Sequence, residues 1–146
     1  MKKMMIALLA CFAIAQVRAA GLNWLTDLPK AEQQAKAENK LVLMDFTGSD
    51  WCPWCIKLDK DVLDQDAFAD YANKNLVMVL VDFPNKNPQS DALKAANAAL
   101  GQKYNVNGYP TLVLVKPDGS VVWTQVGYAE GGPSALISQL EAAKKK

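Results

Sequence analysis

Apolar residues fall into two kinds of run along this chain. Leu41 to Phe46 (LVLMDF) and Leu76 to Phe83 (LVMVLVDF) are short and nearly unbroken, without polar alternation. That is the pattern of central strands covered on both faces. Thr111 to Lys116 (TLVLVK) and Val121 to Val126 (VVWTQV) are also strand-like, and Pro117-Asp118-Gly119-Ser120 separates them. Pro presets φ and Gly accepts positive φ, so these two runs predict an antiparallel hairpin.

Helical signals fill the intervals. Pro29 to Lys40 is rich in helix formers. Pro53 stands where a helix tolerates it, in the first turn. Asp66 is placed to cap a stretch carrying Phe68 and Tyr71. Ser90 is placed to cap another, with Leu93, Ala96, Leu100 and Tyr104 at helical spacing. Gly132-Pro133 opens the last, with Leu136, Ile137 and Leu140 on one face. Lys144, Lys145 and Lys146 follow at its C-terminal end, where cations complement the helix dipole. The order is β-α-β and then β-β-α. It predicts an α/β fold: a central mixed sheet flanked by helices.

The N-terminus follows a different pattern. Lys2 and Lys3 precede an almost unbroken apolar stretch from Met4 to Ala15, and Val17-Arg18-Ala19 has small residues at cleavage spacing. Residues 1–19 therefore read as an export signal, too short for a membrane span, with 20–146 as the working domain. Leu8-Leu9-Ala10-Cys11 is similar to the lipobox of bacterial lipoproteins, which leaves lipidation at Cys11 as a minor alternative. Losing Lys2, Lys3 and Arg18 takes the net charge from +1 to −2. A slightly acidic domain has no electrostatic case for nucleic acid, and no stable membrane insertion is expected once the signal is gone. The expected location is periplasmic or secreted, where conditions are oxidising.

Cysteine and histidine content narrows the chemistry. The chain has three cysteines and no histidine. Zinc needs about four ligands, and one Cys-x-x-Cys without His cannot supply them. Haem attachment needs His after the second Cys, and position 56 is Ile. Triad catalysis is excluded for the same lack of His. No metal or organic cofactor is implied. What remains is Trp51-Cys52-Pro53-Trp54-Cys55, directly after an apolar strand and at the start of a helix. A helix N-terminus presents free N–H groups and partial positive charge, which stabilise a thiolate. The second sulfur lies one turn on, within reach of the first. A structural bridge over two residues would restrain little of the unfolded chain. The pair therefore reads as a thiol–disulfide exchange site.

Three landmarks make residues 22–143 resemble the thioredoxin superfamily, and small exported bacterial members in particular. They are Trp51-Cys52-x-x-Cys55 after the strand, Gly108-Tyr109-Pro110-Thr111 opening the hairpin, and Gly127 after the last strand. The resemblance implies that Cys52 is the attacking thiol and Cys55 the resolving thiol. It implies a cis bond at Pro110, a groove in which the Tyr109 backbone pairs with a bound peptide, and Trp51 at its flank. It also implies that Asp45, a carboxylate inside an apolar strand, accepts a proton from Cys55. Asp45 lies seven residues before Cys52, one more than is usual in the family. The family's lysine partner would fall near Met78. An unpaired buried Asp should have a raised pKa; the other reading turns Asp45 to solvent at the strand end.

The pair between the cysteines, Pro53-Trp54, lacks His. Helix geometry is then the chief support for the thiolate, while Asp50 and the acidic run Asp59, Asp61, Asp64 and Asp66 oppose it; most of that run reads as a solvated face. A less stabilised thiolate makes a less oxidising disulfide. The expected function is an exported oxidoreductase that reduces or isomerises protein disulfides, re-reduced by an upstream thiol donor. Two alternatives stand beside it: a glutathione-linked, glutaredoxin-like enzyme, and a non-catalytic module that binds peptides in the same groove.

Overall fold

The computed structural model describes residues 21–145. The leader at 1–19 and its Cys11 lie outside the described residues. Three long strands form the centre of one sheet. β2 (Leu41–Thr47) pairs in parallel with β3 (Leu76–Asp82) on one side, and antiparallel with β4 (Thr111–Val115) on the other. β5 (Val121–Val126) pairs antiparallel with β4, completing the expected hairpin with Gly119 at φ 83°. A two-residue strand, β1 (Trp24–Leu25), adds to the far edge of β3, giving the order β1-β3-β2-β4-β5.

Residues on β2 alternate between two apolar layers. Val42, Met44 and Phe46 face a core shared with Val77, Val79, Val81, Val113 and Val115. Helix α1 (Leu28–Glu38) closes this side through Leu28, Ala31 and Ala35. Asp27, not Pro29, begins that helix: its carboxylate accepts the Lys30 N–H at 3.0 Å. Leu43 faces the other layer, with Met78, Leu112 and Leu114. Helices α2 (Pro53–Leu58), α3 (Asp66–Asn75) and α5 (Gly132–Lys144) lie on that side, and Phe68, Leu136 and Leu140 enter its core.

Two local features depart from the sequence reading. Asp66 is the first residue of α3, and Gln65 precedes it without a side-chain cap. In helix α4 (Asp91–Lys103), capped by Ser90 as expected, the most deeply buried residue is Asn97. Ala96 is exposed, and it lines an open groove of about 670 Å³ with Leu93 and Leu100. Among the described residues, no helix is long and apolar enough to cross a membrane.

Candidate active site

The two cysteines occupy the first turn of α2. Cys52 is the N-cap residue, with extended backbone, and its Sγ accepts the Cys55 N–H at 3.2 Å. Cys52 and Cys55 are joined by a disulfide, 5.3 Å apart at Cα. Both are nearly closed off, at 4% and 1% exposure. The sequence produces this locally: Pro53 needs no N–H partner at N1, and a Cys at N-cap turns its sulfur toward the free amides of the first turn.

Below Cys55 the helix widens. Asp59–Leu63 forms a π-helical turn, closed by the Asp64 N–H to the Asp59 carbonyl at 2.8 Å. The wider turn lets Leu58, Val62 and Leu63 all reach the core. It also leaves Asp59 half-buried rather than on the solvated face expected for the acidic run. Asp59 is pushed up to about 6, first by burial and then by Asp64 and Asp82. Asp61 behaves as a surface group. It pairs with Lys57 at 2.6 Å and accepts the Tyr128 hydroxyl at 3.3 Å.

Asp45 is 1% exposed, so the alternative that turns it to solvent is excluded. It faces the same layer as α2, opposite Leu112 on β4, and its Oδ1 has no hydrogen-bond partner. Burial, then the charges of Asp59 and Asp82, raise its carboxyl well above the ordinary range. Met78 stands opposite Leu43, and the residue opposite Asp45 on β3 is Leu80. Neither can offer a cation.

The aromatic residues gather around the cysteines in two groups. Trp51 meets Tyr109 edge-on at 6.0 Å, and Phe83 packs on Tyr109 at 5.0 Å. The Trp51 Nε1–H donates to the Phe83 carbonyl at 2.7 Å. A Cβ at Gly48 would collide with the Trp51 ring, so that position needs glycine. On the other side Trp54 stacks on Tyr128 at 5.9 Å, with Lys57 over the same ring. The Tyr109–Pro110 bond is cis, Pro110 is buried, and the Gly127 N–H donates to the Pro110 carbonyl at 2.8 Å. The structure thus brings the Tyr109–Pro110 loop against Trp51, the residue before Cys52.

Asp50, expected to oppose the thiolate by its charge, is engaged by the segment after β3. Its carboxylate accepts the backbone N–H groups of Asn85, Lys86 and Asn87. Sequence reasoning also missed Asp59 as a half-buried acid. The available signal was its spacing, four residues after Cys55 and so on the same helical face. Among the described residues, no cluster of His, Cys, Asp or Glu is arranged to hold a metal ion.

A mixed sheet flanked by helices, with a disulfide heading the helix after the central strand and a cis-proline loop packed on the tryptophan before it, defines a thioredoxin-like domain. A family profile described as "Thioredoxin-like domain" matches residues 28–144, and the chain belongs to that family. It is 36% identical over 129 residues to the disulfide bond reductase DsbH of Chlamydia pneumoniae, covering 88% of this chain and 76% of that one. A solved DsbH oxidoreductase structure superposes with a TM-score of 0.84 at 34% identity, over 95% of each chain. A putative disulphide-isomerase from Bacteroides thetaiotaomicron follows at TM-score 0.62 and 26% identity, covering 90% of this chain and 98% of that one.

Proposed function

We propose that this protein is an exported thiol–disulfide oxidoreductase that works chiefly as a disulfide reductase. The observation that carries this reading is the Cys52–Cys55 disulfide, seated at the first turn of α2; Asp45 is buried on the sheet face that this helix covers. The likeness to the reductase DsbH supports it. The basic and apolar leader at residues 1–19 supports export.

In the reduced protein, Cys52 reacts as the thiolate. It is held by the Cys55 N–H and by the positive end of the helix. Its sulfur attacks one sulfur of a substrate disulfide. One S–S bond forms, one breaks, and the leaving thiolate takes a proton. Cys55 then loses its proton to Asp45 and attacks Cys52. The second substrate thiol leaves, and the Cys52–Cys55 disulfide returns. Two electrons have passed to the substrate, and an upstream thiol donor must supply two more. Asp45 suits the proton step because its raised pKa makes it a stronger base than an exposed carboxylate. Trp51, Tyr109 and Pro110 line the groove that receives the substrate chain.

The test is reduction of insulin disulfides by the protein without its leader, driven by dithiothreitol. Cys52→Ser should abolish turnover, and Cys55→Ser should accumulate mixed disulfides with substrate. Substantial activity in Cys52→Ser would overturn the assignment of the attacking thiol. Turnover that requires glutathione would favour the glutaredoxin-like alternative. Peptide binding that survives loss of both cysteines, without turnover in the parent, would favour the binding module. Cell fractionation and the mass of the mature N-terminus test export, with Ala20 expected as the first residue.

A further inference from the structure

Beyond the end of the β2–β3 ladder, where the Phe83 N–H donates to the Thr47 carbonyl at 2.9 Å, residues 48–51 are fastened to residues 82–87 by polar side chains and the Trp51 indole. The Ser49 N–H and hydroxyl both donate to the Asp82 carboxylate, at 3.0 and 2.6 Å. The Trp51 indole donates to the Phe83 carbonyl. Asp50 makes the densest contact, accepting from Asn85, Lys86 and Asn87 at 2.8, 2.7 and 2.8 Å. Three successive peptide N–H groups converging on one carboxylate form a nest, and charge on the acceptor strengthens each bond. These bonds hold the Asp50 carboxyl below its ordinary range.

Phe83 is anchored by its N–H to the Thr47 carbonyl and packs at the edge of the α1-side core, and Gln89 donates to the Asp82 carbonyl, so the Asp50 bonds fall on the middle of the segment, residues 85–87. Residues 83–90 contain no helix or strand, and Asn85, Lys86 and Asn87 are exposed. Yet Phe83 begins this segment, and its ring packs on Tyr109, the residue before Pro110. Trp51, Phe83 and Tyr109 therefore come from three loops and meet as one wall that begins at the residue before Cys52.

We propose that Asp50 is a positioning residue for polypeptide substrates. It clamps residues 85–87 against the approach to Cys52, and so holds the Trp51–Phe83–Tyr109 wall against which the chain carrying the target disulfide lies. It touches neither the sulfurs nor the substrate. This rests on the oxidoreductase reading above, and the two are separable. A polypeptide must lie along the wall to be bound. A small aromatic disulfide needs only the Cys52 sulfur.

The experiment compares Asp50→Ala and Asp50→Asn with the parent on two substrates, insulin and a small aromatic disulfide, with dithiothreitol as reductant. A slackened wall weakens positioning, so KM for insulin should rise about tenfold in Asp50→Ala with kcat little changed. Asp50→Asn keeps one acceptor oxygen without the charge, and its KM should rise about threefold. Neither variant should alter the rate with the small disulfide or the Cys52–Cys55 reduction potential. A merely structural role would lower both rates together through loss of folded protein. That outcome, or an unchanged insulin KM in either variant, overturns the proposal while leaving the oxidoreductase reading intact. If Asp50→Ala does not fold, Asp50→Asn alone decides it. A parent that reduces neither substrate overturns both readings.

Discussion

The two faces of β2 carry opposite contents, although alternate residues of one seven-residue strand build them. Val42, Met44 and Phe46 are fully buried against valines and the small residues of α1. On the alternate positions, Leu43 is followed by Asp45 and Thr47, each 1% exposed, and each with a side-chain oxygen lacking a partner. Burying an unsatisfied polar atom destabilises a fold by about 1–3 kcal/mol. The face under α2, the helix that carries the cysteines, accepts that penalty. On the face under α1, the β2 side chains Val42, Met44 and Phe46 are all apolar. The difference is what the proposed proton-transfer role of Asp45 requires: a buried carboxylate kept at a cost to stability.

The largest effect should come from the apolar face. Phe46→Ala leaves a cavity in a closed layer and should lower stability by about 3–5 kcal/mol. The surviving folded fraction should keep the parent's pH dependence of turnover, read by denaturant unfolding alongside insulin reduction. A change in that pH profile would mean the two faces are not separate.

Asp45→Leu should act in the opposite sense. Removing a buried, unpartnered carboxylate should raise stability by about 1–3 kcal/mol. Resolution of mixed disulfides should slow about 10²-fold, the loss expected when a positioned base is removed. Stopped-flow decay of a mixed disulfide with a peptide measures the second effect. A variant that is stabilised and equally fast would leave Asp45 without a catalytic role.

Asp59 should give a smaller effect, through pH. Its carboxyl is raised from an ordinary 3.8 to about 6, so between those values the folded protein holds a proton that the unfolded chain has lost. Stability should therefore rise as pH falls from 7 to 5. Asp45, raised for the same reason, adds in the same direction. Asp50, Asp61 and Asp118 are lowered and have the opposite sign, so stability should fall again under strongly acid conditions. Thermal midpoints across this range should show a maximum near the acid side of neutrality, and Asp59→Asn should flatten the rise between pH 7 and 5. An unflattened rise would show that Asp59 is not the group responsible.

Elements whose cause is local were legible in the sequence. The unbroken apolar runs gave β2 and β3, Pro-Asp-Gly gave the β4–β5 turn, and Ser90 gave the start of α4. Cys-x-x-Cys between strand and helix located the site for the same reason, since its chemistry depends on the helix end it caps. What depended on distant partners was hidden. β1 has two residues and exists only through pairing with β3. Asn97 reads as a polar helix residue, yet its amide donates to the Asp82 carbonyl from inside the fold. The partners of Asp50 lie some 35 residues away on a segment without regular structure. The π-helical turn Asp59–Leu63 has no local sequence signal, although the spacing of Asp59 from Cys55 put it on the buried helical face.

The reduction potential of the Cys52–Cys55 pair tests the central claim most directly. Equilibration of the protein without its leader against defined dithiothreitol or glutathione ratios gives it. Pro53-Trp54 between the cysteines, with no His to stabilise the thiolate, predicts a value from about −270 to −180 mV, between thioredoxin and protein disulfide isomerase. A value near about −120 mV, that of a strong oxidant, would contradict the reductase reading.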